Sequence, residues 1–586
     1  MHSLFFQLFV LNCPVLSRNL EKTRASYFLS VSKSTKLDAL TLNSKLILLF
    51  FIEVTRELRM PLKLTDASLD WALKHALTWG DTDIFPDIFE FRAIADDWNK
   101  IKASLRESDI LSWKVRPFRR CLVPKHRFGF RISTQLDPLD FLVFTALVRE
   151  IGEKLELVRI PASENIVHSY RFSPDNDGRM FSDKYTYRSF QKASHDACEE
   201  YGSLYVVIAD IADFFPRLYA HRIDNAINSA LGVGHMHVKA LKDLIAHWAG
   251  SYSYGIPVGS AASRLIAEVT ISDIDQILLS EDAKYVRYSD DFRIFCNSEA
   301  EAYKYLTLIA RALLDNHGLT LQQNKTKIVS IDIFRKIYLK ENEKRELETL
   351  SERFYDLLTE IGVRDTYEEI NYDALPLKYQ QAIDELNLEN ILREQIDEEE
   401  PDLSLLKFLL RRLGQLGNTD IVDLIFDNFS KFVPVIRETI EYLLSLNTLL
   451  PERKISLGKQ LINIYKDKAS AASHLEYSRM YMVRPFALDG EWNSDDQYIK
   501  LYSDALDDNF SKREILLAMG RSKKDFWFRS RKLYLQQMTP WVRRAFIYAA
   551  SCLPSDEYKH WIRGIDSSLD DVERAIASWA KKNPIC

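Results

Sequence analysis

Residues 284–295 read KYVRYSDDFRIF. Two segments of alternating character, Tyr285–Arg287 and Phe292–Phe295, flank a tight turn holding Ser289, Asp290 and Asp291, which is the pattern of a β-hairpin. Upstream, residues 206–216 read VVIADIADFFP: an apolar strand over Leu204–Ala209 delivers Asp210 at its end, and Phe214 and Phe215 follow. Two adjacent carboxylates at the tip of a hairpin repel each other and cost stability, so something must compensate them. A pair of divalent cations is the natural candidate. Hard oxygen ligands suit Mg²⁺, with Mn²⁺ as the alternative ion, and two metals can clamp the attacking and leaving oxygens of a phosphoryl transfer. Taken singly each element is weak, because a strand-end Asp is commonly a cap and SDD is a common surface turn. Their order and context carry the reading.

With YSDD as a YxDD signature and DIADFF as the aspartate motif before it, the chain resembles a reverse transcriptase. Between the two lies GIPVGSAASRLIAEVTISDID, Gly255 to Asp275, similar to that family's glycine-proline-glycine loop and following helix. LVPKHRFGFRISTQLDPLDFLVFTAL, from Leu122, resembles the fingers motifs that hold the incoming triphosphate. GLTLQQNKTKIV, from Gly318, resembles the motif that carries a lysine near the leaving group. The motifs stand in the family's order.

The resemblance implies Asp210 and Asp290 as principal metal ligands, Asp291 in support, and the Ile211 backbone carbonyl beside them. Lys125 and Arg131 are candidates for the triphosphate, together with Gly259 of the glycine loop. They lie in a stretch from Lys114 to Arg131 with seven basic residues and no acid, where Arg119, Arg120 and Arg127 are candidates for nucleic acid. Charge stabilisation and positioning are nearly all that phosphoryl transfer asks of a protein. The bland alternative is a solvated basic face. Lys325 or Lys327 could protonate or stabilise the leaving pyrophosphate, and the sequence does not choose between them. Phe215, five residues after Asp210, is where reverse transcriptases resemble one another in having a ring that fills the space of a 2′-hydroxyl, so deoxynucleotides are the expected substrates.

HSYRF, with Ser169, Tyr170 and Arg171, and GIPVGSAASRLIAE, with Arg264 and Glu268, look like the bacterial abortive-infection and defence-associated reverse transcriptases. That resemblance implies phage defence, dNTPs as substrates, an RNA template or associated non-coding RNA, and a DNA product that some relatives attach covalently to the protein. It also implies homo-oligomers in some members. One departure is Val258, where many templated enzymes have glutamine. The leading expectation is an RNA-directed DNA polymerase, a nucleotidyltransferase. The alternatives are a template-independent or protein-primed DNA polymerase and a catalytically silent nucleic-acid-binding scaffold.

The expected fold is α+β: a right-hand polymerase fold, with fingers and a palm built on a small antiparallel sheet, followed by an α-helical, HEAT-like C-terminal domain. Residues 1–59 read as an extension and 60–340 as fingers and palm. Residues 341–400 read as a charged connector or thumb-like helices, and 401–586 as the helical domain. The stretch RSKKDFWFRSRK, from Arg521, sets six basic side chains around three aromatics. Basic groups with interleaved rings suit single-stranded nucleic acid, with Arg529 and Arg531 as candidates. An amphipathic helix with its rings in the core is the competing reading.

A chain of 586 residues with 46% hydrophobic and 28% charged side chains is too long for one core and too apolar for disorder or a filament. A net charge of −6 excludes a uniformly basic nucleic-acid coat but not a basic groove on an acidic body. Six scattered cysteines without a C-x-x-C pair speak against a zinc site or disulfide framework and suggest a cytoplasmic protein. No apolar run is long enough for a membrane span.

Overall fold

The computed structural model describes residues 61–339, 375–493 and 497–586, with a few positions between 350 and 372. The expectation for residues 1–59 therefore lies outside the described residues, as does much of the expected connector. Residues 63–586 form one compact unit.

The described residues begin with helices α1 (Asp66–Trp79), α2 (Glu90–Asp96) and α3 (Trp98–Glu107), followed by a hairpin of β1 (Arg119–His126) and β2 (Gly129–Gln135). Helix α4 (Pro138–Leu157) follows at once, because Asp137 caps it through the Leu139 amide (3.0 Å) and Pro138 sits where no amide hydrogen is needed. After α5 (Tyr187–Glu200) comes β3 (Tyr205–Asp210), then α6 (Ala220–Leu231), α7 (Met236–Ala249), α8 (Ala261–Thr270) and α9 (Ser272–Ser280). The hairpin β4 (Lys284–Tyr288) and β5 (Asp291–Cys296), helix α10 (Glu299–Ala312) and β6 (Lys327–Ser330) complete this half.

Strands β3 to β6 make an antiparallel sheet in the order β4-β5-β3-β6. The apolar run of β3 is paired on both edges, as an uninterrupted hydrophobic strand should be. On one face, Val206 and Ile208 join Phe190, Ala193 and Ala197 of α5 with Val286, Phe295 and Phe334 in a single core. Arg293 is buried within this core, its guanidinium 4.2 Å from the Phe190 ring and bonded to Ser194 Oγ (2.8 Å).

The second half is helical, as expected: α11 (Leu377–Asp384), α12 (Leu388–Asp397), α13 (Leu403–Gln415), α14 (Ile436–Ser445), α15 (Pro451–Lys466), α16 (Glu476–Leu488), α17 (Asn509–Arg521), α18 (Asp525–Arg531), α19 (Pro540–Ala549), α20 (Ser555–Ile565) and α21 (Asp571–Lys582), with shorter helices such as Val422–Asp427 and Tyr498–Asp504 among them. It is joined to the first half by buried ion pairs. Arg513 grips Glu90 through both oxygens (2.7 and 2.8 Å), and Arg544 meets Asp137, the cap of α4, at 2.6 Å. Trp541 donates to the Pro117 carbonyl (2.9 Å). Among the described residues no helix is long and apolar enough to cross a membrane, and the described cysteines are free thiols.

Candidate active site

Strand pairing brings the three aspartates to one end of the sheet. Asp210 closes β3 and is the direct cross-strand partner of Asp291, which opens β5. Direct partners on antiparallel strands present their side chains on the same face. Asp290 lies in the turn before Asp291, and its carbonyl accepts from the Ile211 amide (3.1 Å). The Asp210 carbonyl accepts from Gln322 (2.7 Å) and the Ala212 amide donates to Thr320 (2.9 Å), so the segment after β3 is tied to the lysine motif through bonds that do not use the Ile211 carbonyl.

The electrostatics follow from that crowding. Burial, then the charge of Asp210, pushes the Asp290 carboxyl above its usual range. Burial and then the charges of Asp290 and Asp210 push Asp291 up to about 7. Lys325 answers this excess of negative charge: its ammonium lies 2.8 Å from Asp210 Oδ2. Burial works against the Lys325 charge, but the bond to Asp210 and the fields of the three carboxylates outweigh it and raise the amine further. Lys125 of the β1–β2 hairpin also acts on Asp290, favouring its ionised form. The structure thus separates the two candidate lysines: Lys325 is on the carboxylates, whereas Lys327 is an exposed residue of β6.

Among the described residues no group of three His, Cys, Asp or Glu side chains is gathered as a ready-made metal cluster. The donor chemistry nevertheless fits a hard divalent cation. Three carboxylates at one sheet end repel each other, and the positive charges of Lys325, Lys125 and Arg293 offset that only in part, since Asp290 and Asp291 stay raised.

The turn itself is held from beneath. Ser289 has φ of 55°, a left-handed conformation that costs a non-glycine residue energy unless its surroundings enforce it. Its amide donates to Ser169 Oγ (2.8 Å) and its carbonyl accepts from Arg287 Nη1 (2.8 Å). Ser169 Oγ in turn donates to Glu268 (2.6 Å). Arg287 is fully buried, paired with both oxygens of Asp275 (2.9 and 2.6 Å) and with Glu268 (3.0 Å), which also receives Arg159 (2.8 Å). This network was not read from the sequence, although Ser169 and Glu268 stand in stretches that the resemblance singled out.

Phe215 is half-buried, its ring 5.2 Å from that of the buried Phe214, and its carbonyl accepts from Ile256 of the glycine loop (3.2 Å). That loop is also tied to the hairpin, since the Thr134 amide donates to the Val258 carbonyl (3.1 Å). Lys125, Arg127 and Arg131 are exposed. Arg127 donates to the Glu399 carbonyl (3.0 Å), and the exposed Arg120 donates to the Trp248 carbonyl.

Arg119, expected on the nucleic-acid path, is instead buried between the rings of Phe510 (4.2 Å) and Trp541 (4.1 Å) and bonded to Gln135 (2.7 Å). Strand alternation turns it away from the neighbouring Arg120 and into the helical half. Burial, then the nearby Arg513 charge, lowers its pKa to about 9. In the C-terminal basic stretch Trp527 and Phe528 are buried and Phe526 is exposed. Arg529 is paired with Asp525 (2.6 Å) and Glu557 (3.0 Å), and Arg531 lies over Tyr534.

Residues 160–372, the stretch that holds Asp210, Asp290 and Asp291, match the family model described as reverse transcriptase (RNA-dependent DNA polymerase). No curated protein matches. Among solved structures, apo telomerase from Candida tropicalis truncated from its C-terminal domain is similar at 14% identity, with a TM-score of 0.27, over 36% of this chain and 49% of that one. Telomerase from Candida albicans in complex with a fragment of telomeric RNA is similar at 12% identity and TM-score 0.28, over 66% and 70%. A partial Cas6-RT-Cas1–Cas2 complex is similar at 20% identity and TM-score 0.22, over 42% and 41%. The chain thus spans about half the length of the first of these.

Proposed function

We propose that this chain, through its reverse transcriptase domain, polymerises deoxynucleotides on an RNA template, with Asp210, Asp290 and Asp291 as the carboxylates that hold divalent cations. The single observation that carries the proposal is the cross-strand pairing of Asp210 with Asp291, next to Asp290, at the end of the sheet. Magnesium bound there would supply charge neutralisation for the phosphates and a lowered pKa for the primer hydroxyl. The Ile211 carbonyl, which the two bonds to the lysine motif leave aside, would be a further oxygen donor for it.

The chain's own residues do the rest. Lys325, an ammonium with its pKa held high beside Asp210, places a proton and a positive charge where pyrophosphate leaves. Lys125 and Arg131 bring charge from the exposed hairpin toward the triphosphate, with Gly259 in the loop beneath it. The half-buried Phe215 ring excludes a ribose 2′-hydroxyl. Arg120 and Arg127 of the hairpin, and Arg531 on the helical half, contribute positive charge to the path of the strand.

The resemblance of the Ser169–Arg171 and Arg264–Glu268 stretches to defence-associated enzymes supports a role against phage. The test is incubation of purified protein with labelled dNTPs, with and without RNA, followed by protease treatment of the product. RNA-dependent, protease-resistant DNA supports the proposal. Product that needs no RNA supports untemplated synthesis, and product that is lost to protease supports a protein primer.

A further inference from the structure

Residues 81–85, DTDIF, form a strap between the two halves that no motif of the polymerase chemistry explains. From the helical side, Arg437 of α14 donates to the Asp83 carbonyl (2.5 Å), and Tyr477 and Tyr481 of α16 donate to the Ile84 carbonyl (3.0 and 3.3 Å). Phe85 packs its ring 5.2 Å from Phe510 and 6.2 Å from Tyr477. Asp81 is buried and accepts from Gln135 of β2 (2.9 Å).

The other side of the strap meets the glycine loop. Gly259 has φ of 127°, and a Cβ there would stand 2.6 Å from Thr82 Oγ1, so glycine is required both by its backbone and by the strap. The Asp83 carboxylate holds Arg264 of α8 at 2.6 Å. Arg264 is thereby set 5.3 Å from the centre of the Tyr170 ring, and that ring lies 5.8 Å from Tyr288, the residue before the turn that bears Asp290. Ser169, next to Tyr170, accepts from the Ser289 amide. A continuous line of contacts therefore runs from α14 and α16, through the strap, to the catalytic turn.

We infer that the helical half sets the geometry of the active site through this strap, with Asp83, Tyr477 and Tyr481 as positioning residues for the glycine loop and the Asp290 turn. The inference rests on the polymerase reading for its activity test but not for its structural test. Asp83 keeps 60% of its side chain exposed, so its pair with Arg264 is worth little to overall stability, and its effect is on position.

The experiment compares full-length Asp83→Asn and the double variant Tyr477→Phe/Tyr481→Phe with wild type. It uses steady-state dNTP incorporation on a primed RNA template and hydrogen–deuterium exchange of the whole chain. The expected result is a loss of about tenfold in kcat, short of the roughly 10²-fold that a full 1 Å misplacement of reacting groups can cost. It is accompanied by an unchanged melting temperature for Asp83→Asn and a lowered one for the double variant, which strips the buried Ile84 carbonyl of both donors, by faster exchange confined to residues 255–264 and 286–292, and by partial rescue by Asp83→Glu. Unchanged kcat with unchanged exchange in those segments overturns the inference, as does faster exchange spread evenly over both halves. If wild type itself incorporates nothing, the polymerase proposal fails and the exchange comparison alone decides the strap.

Discussion

The Lys325 ammonium lies 2.8 Å from Asp210 Oδ2, bridging 115 positions of sequence to put the leaving-group candidate on the carboxylate that ends β3. Replacement by alanine should lower kcat for dNTP incorporation by about 10²-fold, at the low end of what a positioned acid contributes. Lys325→Arg, which keeps the charge but holds its proton more tightly, should fall between the two. Single-turnover incorporation at saturating dNTP measures both.

Phe215→Ala should relax discrimination against ribonucleotides by about tenfold or more, with a smaller change in dNTP incorporation. The role proposed for the ring is to occupy space, so its removal would leave room for a 2′-hydroxyl. The ratio of kcat/KM for dCTP and CTP checks this, and an unchanged ratio would assign the ring to packing against Phe214.

Asp81 gives a pH-dependent stability. Burial pushes its carboxyl up to about 7, and the bond from Gln135 offsets this only in part. The unfolded chain ionises the group near its ordinary value, so the folded state binds the proton more tightly across the interval between. Stability is therefore unaffected at acidic pH, falls as pH rises toward 7, and carries the whole penalty above it, at most about 4 kcal/mol. Asp81→Asn should be more stable than wild type at pH 8 and indistinguishable at pH 4, as measured by chemical denaturation.

Glu90→Ala leaves the buried Arg513 guanidinium with only the more distant Glu514 carboxylate (3.8 Å) and should destabilise the protein by about 3–5 kcal/mol. Because that pair joins the two halves, both should lose stability together. Calorimetry should show one lowered transition and not a separate melting of the helical half.

The strands and turn of the sheet were legible because alternation and an apolar run are local signals. The YSDD turn between Tyr285–Arg287 and Phe292–Phe295 is where the hairpin turns. What holds Ser289 in its left-handed conformation was not legible. Arg287, Asp275, Glu268, Arg159 and Ser169 come from separate segments, and a buried charge looks the same in sequence as a solvated one until its partner is known. Arg119 is the sharpest case. It sits in a stretch of seven basic residues, yet strand alternation turns it inward onto Phe510 and Trp541, both far downstream in the helical half. Arg529 likewise looks free in a basic run but is paired with Glu557. In the same stretch the core position of Trp527 and Phe528 follows the helical spacing that the competing reading anticipated, while Phe526 does not.

The most direct measurement is incorporation of labelled dNTP on a primed RNA template with Mg²⁺, by wild type and by Asp290→Asn, with folding of both verified by circular dichroism. Removing one carboxylate from the triad should abolish nearly all incorporation, a loss of about 10³-fold, while the fold stays intact. Comparable incorporation by the two proteins would contradict the assignment of this sheet end as the site of DNA synthesis.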